Sequence, residues 1–420
     1  MNPGTDEPVQ VDIELSADGC GGNVAISSSC STRTWDEATQ GPGPETFALG
    51  PRQMELDLHS DSFGALNRIS NHTSAALTMP TPVMPLNVQS LGFAGAFIYL
   101  ADALDMYDHW PTPTCIIADG PYGLGKFPGE PNTVQELPQW YASHVAAWSR
   151  LAGADATLWF WSSELAWATV HPLLDTHGWQ YEEACIWDKG IAHIAGNVNS
   201  KTIRGMPVAS EVAIRYTRRN FLLDVNGNPL PLKQWVRAEW QRSGLPMNQS
   251  NEACDVANAA TRKYLTQCHL WYFPPAEAME RMAAYCARHG RGSVRPYFSL
   301  DGKSNFDAKR WEKMRAKWNH THGMTNIWQE PPVHGKERVK NETGYLHANQ
   351  KPLALMERQI LASTDPGDVI WEPFGGLCSA SVAAASLNRR AFAAEIHVPF
   401  FDAASQRLRE SVPGNVRHAA

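Results

Sequence analysis

Buried strands and amphipathic helices alternate along the chain from about residue 93. Apolar residues recur at helical spacing over 137–152 and 164–178. Short runs of strand-like composition lie before, between and after these helices, at 95–110, 114–119, 156–162, 183–190 and 210–219. The first run, 95–110, begins as a strand and continues into a short helix. This alternation predicts an α/β fold with a parallel-type sheet that is covered on both faces.

The same alternation returns near the carboxyl end of the chain. A turn-rich segment, "DVNGNPLPLK" (224–233), marks the point where it stops. The later elements are a helix, a strand that ends in glycines, a helix, a strand and a last helix, at 347–364, 365–376, 379–390, 391–396 and 399–411. We therefore predict one α/β domain in two parts, 93–230 and 346–420, interrupted by an insert at 231–345.

Charge divides the chain unevenly, although its net value is only −7. Residues 1–62 carry eleven acidic and two basic side chains, a net charge of −9, whereas residues 233–340 carry eighteen basic and ten acidic side chains, a net charge of +8. The Gly-, Ser- and Asp-rich composition of residues 1–60 predicts a disordered acidic tail. The basic segment predicts a surface for a polyanion.

The sequence favours a cytoplasmic protein. No apolar run approaches the roughly 18 residues that cross a membrane, and the first residues lack the basic and apolar stretches of a secretory signal. The eight cysteines include no CxxC pair and are typical of reduced thiols. Cys286 and His289 have a ligand-like spacing without a good partner pair, so no metal site is predicted.

A charge and an aromatic ring end a buried strand in "TCIIADGPYG" (114–123). The apolar run stops at Asp119, and Gly120, Pro121 and Tyr122 follow. The residues by themselves are consistent with an Asp-Gly-Pro turn and an exposed tyrosine. They are equally consistent with a carboxylate and a ring that meet a ligand at a sheet edge.

A second strand ends in glycines, in "VIWEPFGGLCSASVAAAS". Gly375 and Gly376 let the backbone approach a ligand closely, and a helix start follows them. Glu395 stands nineteen residues after Gly376, at the end of the next predicted strand. In Rossmann-like sheets an acidic residue there holds ribose hydroxyls. A purely structural turn explains the two glycines equally well.

The two segments together resemble bacterial DNA amino-methyltransferases. In that family a QKP segment precedes a DPFxGxG loop, an acidic residue ends the following strand, and a DPPY motif corresponds to residues 119–122 here. The order found here, with the catalytic motif first and the cofactor motif last, is that of the β class. The resemblance covers 93–220 and 345–411. It implies a Rossmann-like, S-adenosylmethionine-dependent methyltransferase sheet with an inserted, mainly helical target-recognition domain.

The resemblance also implies a role for each matching residue. Lys351 and Pro352 would lie near the methionine end of the cofactor, and Glu395 would hold its ribose. The remaining cofactor pocket would be lined by Glu372, Phe374, Gly375 and Gly376. Three positions depart from the family pattern: Gly120 replaces a proline, Glu372 replaces an aspartate, and Cys378 replaces the last glycine of the loop.

The chemistry of an exocyclic base amine explains the residues at 119–122. Its lone pair is delocalised into the ring, so acceptors for its N–H groups are needed to direct that lone pair at a methyl donor. Asp119 and the carbonyl group of Gly120 would supply the acceptors, Pro121 would stiffen the turn, and Tyr122 would stack on a flipped base. In the family, Asp at the first position goes mostly with adenine, which favours N6-adenine over N4-cytosine.

The insert has features of a DNA reader. In residues 247–275, Ser250 or Asn251 would cap one short helix, and a second helix would begin at about Asn258, as in a helix-turn-helix. The second helix would present Asn258, Thr261, Arg262 and Lys263 to a major groove. Any helical hairpin shares part of this pattern. The basic stretch 307–318 would contact phosphates, or form a solvated helix with Trp311 and Trp318 buried.

Other features have weaker interpretations. The aromatic stretch 159–167 is interpreted mainly as core packing, and a loop with His193 and Asn197 would close over substrate. The predicted partners are double-stranded DNA, a restriction endonuclease of the same system and a second copy of the chain. Two other hypotheses stay open: a methyltransferase for RNA or a protein side chain, and a DNA-binding protein with an inactive methyltransferase fold.

Overall fold

The computed structural model describes residues 88–127, 129–193, 204–342 and 344–411. The predicted acidic tail, 1–60, lies outside the described residues. The elements before the insert are β1 (Ser90–Phe93), β2 (Ala96–Leu100), α1 (Ala103–Met106), β3 (Cys115–Ala118), α2 (Leu137–Leu151), β4 (Thr157–Ser162), α3 (Glu164–Thr176), β5 (Trp179–Asp188) and β6 (Ser210–Arg218). The predicted alternation of strands and helices in this part is confirmed.

A hairpin leads into the predicted insert, and helices follow it. The hairpin is formed by β7 (Phe221–Leu223) and β8 (Pro229–Pro231), and the helices are α4 (Leu232–Arg242), α5 (Gln249–Ala253), α6 (Ala259–Tyr264), α7 (Ala276–His289) and α8 (Ala308–Glu312). The chain then forms β9 (Ile327–Gln329), β10 (Lys340–Asn341), β11 (Gly344–Tyr345), α9 (Leu353–Ser363), β12 (Val369–Glu372), α10 (Ser379–Ser386), β13 (Arg390–Glu395) and α11 (Val398–Ser411). Within the described residues, no helix is both long and apolar enough to span a membrane.

Nine strands of the described chain form one sheet in the order β1-β2-β13-β12-β3-β4-β6-β5-β9. The five strands from β2 to β4 are parallel to one another. The expectation of parallel strands is wrong for β6, which pairs antiparallel with both neighbours. After β5 the chain turns back along the same sheet, and such a reversal needs no crossover helix.

The neighbouring strands β12 and β3 form a switch point in the sheet. They pair in parallel, with Ile370 opposite Cys115 and Trp371 opposite Ile116. From β12 the chain proceeds through α10 to β13 on one side, and from β3 it proceeds through α2 to β4 on the other. The carboxyl ends of two such strands open a crevice, which is where open α/β sheets bind ligands.

The aromatic stretch in β4 is core, as predicted. Trp159 and Trp161 are buried on the face covered by α9, where their indole N–H groups donate to Ser363 Oγ (2.8 Å) and Gln359 Oε1 (3.2 Å). Phe160 packs on the opposite face, in the cluster that includes residues of α2. Both faces of this central strand are therefore covered.

The insert has a hydrophobic core of its own. The large rings of Trp235, Trp240, Phe298 and Trp311 are fully buried there. Trp318, by contrast, is 45% exposed. Of the two tryptophans that a solvated helix at 307–318 would bury, only Trp311 is therefore buried. Residues 327–329, which fall within the range expected for the insert, form β9 and pair with β5 in the main sheet.

Candidate active site

Asp119 follows the last residue of β3 and lies in an ion pair. The Lys351 ammonium group, two residues before α9, donates to Asp119 Oδ1 (2.7 Å) and Oδ2 (2.8 Å). The Lys351 side chain is 3% exposed and that of Asp119 22% exposed. Burial raises the pKa of Asp119, and the ammonium group of Lys351 opposes that rise. Burial lowers the pKa of Lys351, but the carboxylates of Asp119 and Glu211 outweigh it, so the net shift is upward.

Glu211 and Lys189 complete the charged cluster around Asp119. Glu211 Oε2 lies 3.3 Å from Lys351 Nζ, and Glu211 Oε1 pairs with the ammonium group of Lys189. Sequence analysis did not single out either residue. Lys189 directly follows β5, but that strand is only partly buried and itself ends in Asp188, so the sequence offers no signal there comparable to Asp119 after β3.

Tyr122 is buried beside this cluster. Its hydroxyl group donates to Asp119 Oδ1 (3.0 Å) and to Glu211 Oε2 (3.3 Å). Its backbone N–H donates to Glu130 Oε1 (3.0 Å), and the other carboxylate oxygen of Glu130 accepts from Lys126 and Phe127. The Tyr122 hydroxyl oxygen also accepts from Lys351 Nζ (3.3 Å), so the hydroxyl group is held within the charged cluster, and Glu130 holds the loop that follows Tyr122.

The space around Gly120 explains why no larger residue stands there. A Cβ atom at this position would overlap the Tyr141 hydroxyl oxygen and would lie 2.7 Å from Phe374 Cδ2. The Tyr141 hydroxyl group, on α2, donates to the Pro121 carbonyl oxygen (3.1 Å), and this bond holds the backbone of the turn after β3. Tyr141 and Phe374 thus occupy the space that the side chain of the family's proline would need at position 120.

The glycine loop after β12 approaches β13 closely. A Cβ atom on Gly375 would lie 2.9 Å from the Ala394 carbonyl oxygen, so glycine is required. The Gly376 N–H donates to Glu395 Oε2 (2.6 Å), at the end of β13. Cys378 adopts the left-handed conformation, with φ 50° and ψ 47°, so the cysteine keeps a backbone geometry that glycine adopts more readily.

Glu372 holds the start of α10. Its Oε1 accepts from the Ala380 N–H (2.9 Å), and its Oε2 accepts from the Ser381 N–H (2.7 Å) and hydroxyl group (2.6 Å). A carboxylate there complements the positive end of the helix. Burial nevertheless raises the pKa of Glu372 to about 7, against the opposing effect of these hydrogen bonds.

A cavity of about 290 Å³ joins the two strand ends. The predicted residues that line it are Asp119, Gly120, Pro121, Lys351, Glu372, Phe374, Gly375, Gly376 and Glu395. Trp140 and His144 of α2 add a stacked pair with ring centroids 4.8 Å apart, and the Phe374 ring lies 5.0 Å from that of His144. Burial lowers the pKa of His144 to about 4, so this wall is uncharged at neutral pH.

Three other predicted site residues are not among those that line the cavity: Tyr122, Pro352 and His193. Pro352 is the N-terminal cap of α9. His193 ends a short 3₁₀ helix and is exposed, and Asn197 lies outside the described residues. His347 was not singled out, although it lines the cavity with its ring stacked on Phe127 at a centroid distance of 5.0 Å.

The two helices expected in 247–275 are α5 and α6. Asn258 precedes α6, and Asn258, Arg262 and Lys263 are exposed. Thr261 faces α5 instead, because its hydroxyl group bonds to Ser250 Oγ (2.8 Å) and its N–H donates to Asn251 Oδ1 (3.0 Å). Ser250 and Asn251 thus join the two helices, whereas the residue in the cap position of α5 is Asn248.

The family of the chain follows from its sequence. A family model for DNA methylases that act on N6 or N4 amines matches residues 114–406, which include both strand ends and the insert. The chain belongs to this DNA methylase family.

Curated relatives of this methylase are type II methyltransferases. M.HinfI from Haemophilus influenzae is 37% identical over 89 residues, which are 21% of this chain and 25% of the relative. M.HpaI from Haemophilus parainfluenzae is 26% identical over 156 residues, which are 36% of this chain and 47% of the relative. The chain thus matches less than half the length of these two relatives.

Solved methyltransferase structures also match. The M1.HpyAVI–SAM complex is 15% identical, with a TM-score of 0.41, and the match covers 74% of this chain and 98% of the other. The cytosine-N4-specific PvuII DNA methyltransferase is 11% identical, with a TM-score of 0.43, and the match covers 76% and 92%. The fold assignment rests on the sheet order of the methylase itself.

Gly120→Ala should destabilise the methylase by about 1–3 kcal/mol, because the new methyl group overlaps Tyr141 and Phe374. Urea unfolding measures the loss. Adding Tyr141→Phe to Gly120→Ala should recover part of it, since that change removes the overlapping hydroxyl oxygen. Equal stability of Gly120→Ala and the wild type would show that the turn has room to move.

Glu372 should make the free energy of unfolding fall as pH rises. Its pKa is 4.5 in the unfolded chain and about 7 in the folded protein, so the folded protein binds the proton more tightly. The resulting stabilisation is fully present below pH 4.5 and is lost as the pH rises to about 7. The loss is roughly 3 kcal/mol. Urea titrations from pH 4.5 to 8 should show a flatter pH dependence for Glu372→Gln than for the wild type. The exposed-residue control Glu410→Gln should retain the wild-type slope; equal slopes for all three proteins would contradict the assignment.

Proposed function

We propose that this methylase transfers a methyl group from S-adenosylmethionine to N6 of a flipped adenine in double-stranded DNA. The observation that carries the proposal is the single cavity at the switch point between β3 and β12. It brings the Asp119–Pro121 turn and the glycine loop at Gly375 and Gly376 to one space. A transferase needs its methyl acceptor and its methyl donor within reach of each other.

The residues of the cavity fit the proposed cofactor. His347 Nδ1 is buried and has no hydrogen-bond partner among the described residues, so this wall has a polar atom available for a ligand. Glu395 can accept further hydrogen bonds from a ribose, since each of its oxygens accepts one backbone bond. Phe374, Trp140 and His144 offer ring faces to an adenine. When bound, S-adenosylmethionine supplies an electrophilic methyl group.

Asp119 and Gly120 would orient the acceptor amine. The Asp119 carboxylate accepts one N–H of the amine and the Gly120 carbonyl oxygen accepts the other, which withdraws the lone pair from the base ring. The amine nitrogen would then bond to the methyl carbon as the carbon–sulfur bond breaks, the neutral thioether would leave with its bonding electron pair, and the surplus amine proton would pass to solvent. The Tyr122 ring would stack on the flipped base, and its hydroxyl group is held by Asp119 and Glu211.

N4-cytosine is the second candidate acceptor. The amines of adenine and cytosine have the same delocalised lone pair, so Asp119 serves both, and the family includes enzymes for each. The preference for adenine rests on the aspartate at position 119. Duplex DNA that has been incubated with the purified methylase and the cofactor should yield N6-methyladenine on nucleoside analysis. N4-methylcytosine without N6-methyladenine would establish the alternative acceptor.

Asp119→Asn should lower kcat for DNA methylation by at least about 10²-fold, since the carboxylate acceptor is lost. Cofactor affinity, measured by calorimetry, should stay within about threefold, because the proposed cofactor contacts lie in the glycine loop and at Glu395. Asn preserves the shape of the side chain, and a thermal unfolding scan checks that the fold is retained. Full activity of the variant would refute the role of Asp119.

We further propose that α5 and α6 read DNA from the basic insert. The exposed Asn258, Arg262 and Lys263 on or next to α6 support this role, while Thr261 would serve by fixing α6 against α5. Duplex DNA is the proposed partner. A restriction endonuclease of the same system and a second copy of the chain are further proposed partners, which co-purification and sedimentation would test.

Arg262→Ala and Lys263→Ala should weaken duplex binding and leave cofactor binding unchanged. If Arg262 contacts a base edge, its loss should cost about 1–3 kcal/mol at one position of the site, and loss of a phosphate contact by Lys263 should reduce the salt dependence. Fluorescence anisotropy with matched and mismatched duplexes separates the two effects. Arg150→Ala, at an exposed arginine of the sheet domain, is the control. Wild-type affinity and specificity in both insert variants would refute DNA reading by α6.

A further inference from the structure

The carboxylate of Asp119 has a competing partner in the structure. Both of its oxygens lie within 2.8 Å of Lys351 Nζ, and Oδ1 also accepts from the Tyr122 hydroxyl group. An acceptor for a base amine needs free lone pairs. A lysine that belonged to Asp119 alone would hold those lone pairs in a buried ion pair, where attraction is strong.

Lys351 does not belong to Asp119 alone. Its ammonium group has three N–H donors, and Glu211 Oε2 lies 3.3 Å from its nitrogen on the side of β6. Lys351 is therefore shared between two carboxylates that come from different strands. Its nitrogen also donates to the Tyr122 hydroxyl oxygen (3.3 Å) and lies 5.2 Å from the centroid of the Trp161 ring.

Lys189 sets how strongly Glu211 attracts Lys351. The Lys189 ammonium group pairs with Glu211 Oε1, and its nitrogen lies 4.7 Å from the centroid of the Trp187 ring. Lys189 and Glu211 are both largely buried, with side chains 13% and 15% exposed. Two ammonium groups and two carboxylates thus alternate along one line, and their charges cancel.

We propose that Glu211, held by Lys189, is a positioning residue that shares Lys351 with Asp119 and so leaves Asp119 able to accept the N–H of the target amine. This inference rests on the proposed function. Glu211 touches neither the base nor the cofactor in this scheme. It acts through Lys351, and Lys189 acts through Glu211.

Three titratable groups outside the four-charge line contact Asp119, its turn or the same cavity wall. Tyr122, in the turn after β3, bonds to both carboxylates. Tyr141 of α2 points its hydroxyl group at the Pro121 carbonyl oxygen. His347 faces the cavity, and burial together with Lys351 lowers its pKa to about 4. None of these three groups changes its charge near neutral pH. Glu372, on the wall of the same cavity, does change its charge there, because burial raises its pKa to about 7, so the direct titration of Asp119 is needed beside the rate profile.

The two ends of this line should act in opposite directions. In Glu211→Gln, Lys351 pairs with Asp119 alone, so their ion pair strengthens, the pKa of Asp119 falls and its carboxylate becomes a weaker acceptor for the amine N–H. In Lys189→Met, Glu211 draws Lys351 more strongly, and the pKa of Asp119 rises. If Glu211 and Lys189 had only a structural role, both variants would lose activity, but the pKa of Asp119 would not shift in opposite directions in the two variants.

The experiment combines a rate profile with a direct titration. The pH dependence of kcat is measured on duplex DNA, and the Asp119 carboxyl carbon is titrated by ¹³C NMR in protein labelled at aspartate Cγ, with Asp119→Asn assigning the signal. Glu183→Gln is the matched control, because Glu183 pairs with Arg215 (2.7 Å) across the same two strands, β5 and β6.

We expect Glu211→Gln to lower kcat about 10- to 100-fold at pH 7.5, with KM for the cofactor within threefold, and to move the acid limb to lower pH. Lys189→Met should move that limb and the NMR titration to higher pH, and Glu211→Asp should recover part of the rate. Shifts in the same direction, or no shift in either variant, would overturn the inference. If the wild type methylates no DNA, the proposed function fails, and the NMR titration alone still decides whether Glu211 and Lys189 control Asp119.

Discussion

The parallel pairing of β3 with β12 is the contact on which the rest of the site depends. Cys115 pairs with Ile370 and Ile116 with Trp371, and these pairs bring together segments that the insert separates in sequence. Because the chain leaves the two strands in opposite directions, their carboxyl ends stay open to a ligand. Asp119 and the glycine loop meet there, and Lys351 reaches the same point from the start of α9.

Four charged side chains in this crevice alternate in sign, so each of these four has a partner of opposite sign. Asp119, Lys351, Glu211 and Lys189 form a line whose net charge is zero. Removing one member of a buried ion pair leaves an uncompensated charge and commonly costs several kcal/mol. The four side chains thus keep this part of the site electrically neutral. Removing any one of them should lower the free energy of unfolding.

Departures from the family pattern are compensated locally. Gly120 lacks the rigidity of proline. The hydrogen bond from the Tyr141 hydroxyl group to the adjoining Pro121 carbonyl oxygen restrains the turn instead. Cys378 lacks the conformational freedom of glycine, but its side chain is buried in the core beneath α10, which offsets the strain of its left-handed backbone. These local compensations offer no structural support for an inactive, decayed fold.

Sequence by itself determined the elements and the two strand ends. Apolar runs and helical spacing predicted most strands and helices of the sheet domain, and the residues at 119–122, 351–352 and 372–376 indicated the DNA methylase family. Only the tertiary structure decided that β6 runs antiparallel, that Thr261 faces α5, and that Glu211 and Lys189 join Asp119 through Lys351. Periodicity and composition report whether a residue is buried, and they depend on its near neighbours. Strand direction and ion pairing depend on groups far away in the chain, which meet only when β3, β5, β6 and β12 assemble into one sheet.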